Sequence, residues 1–187
     1  MDRLLRLSAG IDRLLSGLGR IGSWAAILLM LVVCYDVITR RYGVAKAFGL
    51  NSTQIQESEY WLHSILIALM IGYAYVRQAH VRIDLIRARL PIQARYVIEM
   101  VGCLLFLIPG ALIIAWLSFG YTMFSYNTGE VSKSVIGLSN VWILKAFMPV
   151  MYALMALAGV SQFIKSLAGF LGRLPRHREL EALGGDH

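Results

Sequence analysis

Residues 21–38 read IGSWAAILLMLVVCYDVI, an apolar run whose first charged residue, Asp36, lies near its far edge. A helix rises about 1.5 Å per residue and a hydrocarbon core is about 30 Å thick, so this run predicts a helix that crosses a membrane. Three more stretches meet the same length, at 59–76, 97–119 and 141–164. Backbone amides in lipid have no water to bond, which makes helix the expected conformation for all four. The predicted fold class is an all-α membrane protein with four transmembrane helices.

Composition agrees with the runs. Of 187 residues, 58% are apolar and 16% charged, against about half and a quarter in soluble domains. Cys34 and Cys103 each stand alone inside an apolar span, so both are expected as packing residues, and no CxxC exists. No small-residue cleavage pattern follows the first run, and that span is expected to stay in the mature chain.

Orientation follows from the basic residues. Arg3, Arg6, Arg13 and Arg20 precede the first span, Arg77, Arg82, Arg87, Arg89 and Arg95 link the second and third, and Lys165, Arg173, Arg176 and Arg178 follow the fourth. The other side receives Arg40, Arg41, Lys46 and Lys133, and both termini are therefore expected in the cytoplasm. The net charge of +7 suits the anionic headgroups of a phospholipid membrane, whereas cations distributed around spans do not suit nucleic acid.

Outside the spans, Leu4, Leu7, Ile11, Leu14, Leu15, Leu18 and Ile21 recur at three- and four-residue spacing among arginines. This predicts an amphipathic helix over 1–20 lying in the cytoplasmic interface. The four-helix domain is expected over 21–164, with 165–187 as a cytoplasmic tail, partly disordered. Ser52 or Thr53 is expected to cap the second helix. Val81, Ile83, Leu85, Ile86 and Leu90, interleaved with Arg82, Asp84, Arg87 and Arg89, predict a second short interfacial helix between helices two and three. Pro109 and Pro149 should kink their helices. No internal repeat of the kind many transporters carry is present.

An ionisable group inside a span is costly unless paired, and each is weighed accordingly. Asp36 precedes Arg40 by one turn, which predicts an i,i+4 pair at the interface. Glu59 and His63 have the same spacing, read as a hydrogen bond fixing the helix rather than a proton relay. Lys145 lies one turn inside the fourth span, near enough to the surface to snorkel. Of the histidines only His63 lies in a span, with His80 at the opposite, cytoplasmic end of the same helix, so haem ligation between facing histidines is not expected. Metal clusters, phosphate loops and nucleophile arrangements are absent from the sequence, and neither a cofactor nor an enzymatic activity is expected. Ala153, Ala156 and Gly159 give a stripe on which another helix can pack closely. A self-sufficient proton-coupled transporter would need a deep carboxylate, a redox or quinone-linked subunit would need paired histidines or cysteines, and a channel would need a polar stripe. An accessory subunit packed on a larger partner fits better.

Three segments carry a resemblance: Gln54 to Trp61 leading into span two; Gly72-Tyr73 followed by His80-Val81-Arg82-Ile83-Asp84; and Gly129-Glu130 through Ser132, Gly137-Leu138, Trp142, Lys145 and Pro149. In order and spacing the chain resembles the small, DctQ-like membrane subunit of tripartite ATP-independent periplasmic (TRAP) transporters. Where relatives often show a glycine before the His-Val-Arg stretch, this chain has Gln78-Ala79.

The resemblance implies a subunit of the bacterial inner membrane without transport activity of its own. Its implied partners are a large membrane subunit of about a dozen spans, which carries the substrate and sodium, and a periplasmic substrate-binding protein. The transported solutes would be organic acids or related compounds. The N-terminal helix and the loop around Arg82 to Leu90 would brace the large subunit, and the loops at 39–58 and 126–140 would help dock the binding protein. Glu57, Glu59 and His63 would make interhelix or inter-subunit hydrogen bonds. His80, Arg82 and Asp84 would form a turn that fixes the cytoplasmic loop, with Trp142 and Lys145 as further interface or structural polar positions.

Overall fold

The structure is a computed structural model describing residues 2–43, 49, 51–79, 90–132, 134 and 137–174. These residues form four helices, here α1 (Asp2–Tyr42), α2 (Ser52–Val76), α3 (Ile92–Asn127) and α4 (Val141–Phe170), each long and apolar enough to cross a membrane. They alternate in direction. The start of α1 and the end of α4 meet at one end of the bundle, called here the terminal end. The α1–α2 and α3–α4 connections lie at the opposite, loop end.

The helices exceed the apolar runs. Residues 2–20, expected as an amphipathic interfacial helix, are helical and continuous with the first span in a 41-residue helix. At 1.5 Å per residue α1 is about 62 Å long, roughly twice the hydrocarbon thickness. Two of its glycines, each a poor helix former, sit at close contacts with α2: Gly19 faces the Tyr73 ring and Gly22 faces Met70. At its start, α2 is capped by Asn51, one residue earlier than expected, whose backbone N–H donates to Gln54 Oε1 at 3.1 Å. Lys165, expected in the tail, is inside α4, which runs on to Phe170.

The fourth helix is central and touches the other three. Leu15 of α1, Val76 of α2 and Leu154 and Ala158 of α4 form one buried cluster. A second, nearer the terminal end, joins Tyr96 of α3 to Ala168 and Leu174, with Leu5 of α1 against it. Gly72 sits where three helices converge, since a Cβ there would stand 2.9 Å from Leu15 Cδ2 and 3.1 Å from the Leu154 carbonyl oxygen. The backbone oxygen cannot swing away. We therefore expect Gly72→Ala to cost about 1–3 kcal/mol by overpacking, read as a lower unfolding temperature in detergent; an unchanged transition would contradict this packing.

Helix α3 is not α-helical throughout. Residues Gly102–Leu107 form a π-helical segment, closed by Ile108 N–H donating to Cys103 O. The buried positions explain its use: Tyr96 and Cys103 are seven residues apart, Ala111 and Ser118 are seven apart, but Cys103 and Ala111 are eight apart. One extra residue has been absorbed by the wider turn, which keeps both halves facing α4. Pro109, expected to kink this span, follows directly, and its missing N–H is accommodated where the hydrogen-bond ladder already shifts register. Deleting Leu105 should therefore preserve the fold, whereas deleting Ile113 should rotate every later buried residue by about 100°. Comparing monodisperse yields of the two deletions checks this. Equal loss would contradict it.

Of the cysteines, Cys103 is buried and within 3.4 Å of the Tyr75 hydroxyl, while Cys34 is exposed on α1 rather than packed. The expected interfacial helix at 81–90, with His80, Arg82 and Asp84, lies outside the described residues apart from Leu90, as does the tail from residue 175.

Candidate functional site at the two polar ends

At the loop end, the α3–α4 connection is tied down by a residue from another helix. Glu57, in the second turn of α2, accepts hydrogen bonds from the Ser132 hydroxyl through Oε1 and from the Leu138 backbone N–H through Oε2. Gly137 makes this approach possible, because a Cβ there would collide with Ser132 Oγ and Glu57 Oε1. Its own N–H closes a turn on the Ser134 carbonyl at 3.1 Å. A charged acceptor with two donors makes a strong bracket across the bundle.

Beside it, Lys145 of α4 pairs with Glu130 of the connection, and its ammonium lies 3.9 Å from the Tyr121 ring centroid. The side chain is only 11% exposed, so the charge is held by an ion pair and a ring face rather than by water alone. Trp142 packs edge-to-face on Tyr126, centroids 5.2 Å apart, which binds the end of α3 to the start of α4. Asp36 and Arg40 form the expected pair at 2.6 Å. With the Gln56 amide oxygen turned toward it, the same guanidinium reaches α2 at 2.7 Å. Below this layer an apolar groove of about 510 Å³ opens between α3 and α4, with Trp142, Pro149 and Ala153 in its lining.

At the terminal end a second polar cluster joins α1 to α4. Lys165 Nζ is 2.6 Å from Asp12 Oδ2, with the lysine side chain 5% exposed. Ser161 Oγ donates to Asp12 Oδ1 at 2.5 Å, and Ser8 Oγ stands 2.8 Å from Ser161 Oγ. Since the single Ser161 proton is directed at the carboxylate, the Ser8 hydroxyl is the donor in the remaining contact. The result is an ordered relay, Ser8 to Ser161 to Asp12, closed by Lys165. A buried charge is tolerable only in such company.

The structure thus brings Glu57, Trp142 and Lys145 to one end, while Glu59 and His63, half-buried and exposed, make no hydrogen bond or ion pair with another described residue. Sequence reasoning missed Ser8, Asp12 and Ser161. Ser8 and Asp12 share the helical face of Leu15 and Gly19, a face whose burial only the structure reveals, and Ser161 carried no signal at all. Among the described residues no three of His, Cys, Asp and Glu converge on a point where they could hold a metal.

The polar groups therefore fasten helices and loops to one another. That arrangement suits a component of a larger membrane assembly. No curated protein and no solved structure matches the chain. The family described as tripartite ATP-independent periplasmic transporters, DctQ component, matches residues 29–169, which take in the end of α1 and all of α2 and α3 and nearly all of α4. On that match, supported by four helices long and apolar enough to cross a membrane, the chain belongs to the DctQ family and is the small, multi-pass membrane subunit of a TRAP transporter.

Proposed function

We propose that this subunit is a rigid brace: it holds the large membrane subunit in place in the bacterial inner membrane and offers its loop end to the periplasmic substrate-binding protein during sodium-driven uptake of organic acids or related solutes. In this reading both termini are cytoplasmic and the Glu57 bracket faces the periplasm, as the distribution of arginine and lysine favours. The chain performs no chemistry and carries no solute itself.

The observation that carries the reading is where the polar side chains go. Glu57, Lys145, Asp12 and Lys165 are each engaged by partners in the same chain. Such engagement stiffens the bundle, and a moving partner needs something stiff to travel against. Glu59 and His63, without described partners, are then available for hydrogen bonds to another subunit.

Affinity purification of this chain from membranes expressing the whole system tests the proposal. It predicts recovery of the large membrane subunit after stringent washing. Recovery of the chain as a monomer or homo-oligomer alone would overturn it.

A further inference from the structure

Along the start of α1 a seven-residue unit recurs, RLSAGID at 6–12, RLLSGLG at 13–19 and RI at 20–21. Its inward positions are accounted for by contacts with α2 and α4: Ser8, Leu15 and Gly22 form one buried column, and buried Gly19 with half-buried Asp12 the next. Those contacts make no demand on the outward positions. Yet these repeat as well.

Arg6, Arg13 and Arg20 form an exposed ladder about 21 Å long at 1.5 Å per residue. None of the three makes a hydrogen bond or ion pair with a described residue. Leu7, Leu14 and Ile21, each more than half exposed, form a parallel apolar ladder. Between the ladders lie Gly10 and Gly17, where an added Cβ would meet nothing within 4 Å. The glycines open a groove of about 430 Å³, floored by them and walled by Arg13 and Leu14.

A strict seven-residue stripe drifts around a straight helix, and a second helix follows it by supercoiling left-handedly. Aliphatic knobs beside small-residue notches, flanked by charges of one sign, are the requirements of helix pairing with a partner of opposite charge. A second copy of this chain would set arginine ladder near arginine ladder, which disfavours it. Lipid acyl chains require no period.

We propose that this groove receives an α-helix of the large membrane subunit whose acidic side chains recur every seven residues and meet the arginine ladder. The inference rests on the accessory-subunit reading and adds to it the face, the register and the charge of the contact.

Co-expression of the chain with the large subunit, carrying p-benzoylphenylalanine at position 14, tests it. Irradiation in membranes followed by mass spectrometry should give an adduct within a large-subunit segment that has Asp or Glu at seven-residue spacing. Arg6→Glu, Arg13→Glu and Arg20→Glu together should reduce the co-purified large subunit at least tenfold. The unfolding temperature of the chain alone should not change, because none of the three holds a described contact. Retention of the large subunit with an adduct to phospholipid or to a second copy, with no adduct, or with full tolerance of the triple variant, overturns the docking face and leaves the functional reading standing. Failure of the unmodified chain to retain the large subunit overturns both.

Discussion

Replacing Lys165 by methionine is expected to destabilise the isolated bundle by about 3 kcal/mol, near the low end for breaking a buried pair because Asp12 keeps some exposure. The loss does not come from the strength of the pair alone. Methionine fills the volume but leaves the Asp12 carboxylate in the α1–α4 contact with Ser161 as its remaining donor. Asp12→Asn should fail for the mirror reason, with an ammonium 5% exposed and no counter-charge. The double variant Asp12→Asn, Lys165→Met should recover most of the loss, since two neutral groups of similar size replace two charges. Thermal unfolding in detergent measures all three. Independent, additive effects of the two substitutions would show that the ion pair does not couple α1 to α4.

The second large effect is expected at the opposite end. Glu57→Ala removes the acceptor for the Ser132 hydroxyl and the Leu138 N–H, a loss of about 2–3 kcal/mol in local stability. Because the bracket crosses from α2 to the α3–α4 connection, its removal should loosen that connection and leave the helices formed. Amide exchange at Leu138 and Gly137 is then expected to accelerate at least tenfold, with exchange in the middle of α4 unchanged. Glu57→Gln should be intermediate, since an amide keeps one acceptor and loses the charge. On the docking proposal, uptake should fall in parallel with the loosened loop. Unchanged exchange at Leu138 would remove the bracket from the account.

The four helices were legible because each contains an apolar run that only a membrane explains, and Asp36–Arg40 was legible because its spacing is local. Contacts that join distant parts of the chain were not. Lys165 reads as the first residue of a basic tail unless Asp12, 153 residues earlier, is known to stand beside it. Residues 2–20 read as an amphipathic helix of the interface because their arginines and leucines satisfy that pattern; its continuity with the first span, along which Gly19 and Gly22 pack on α2, leaves no mark in that pattern. Glu57 was singled out, but its partners lie in an irregular connection where no periodicity applies. The π-helical turn leaves only one trace, an eight-residue step in a seven-residue pattern, and that trace is visible only once burial is known.

We propose that this subunit supports transport without conducting it. Reconstitution into proteoliposomes of the chain alone, and of the chain with its large subunit and binding protein, is the direct measurement. A sodium gradient is expected to drive uptake only when all three are present. Uptake by the chain alone, lost on Glu59→Gln, would contradict the proposal.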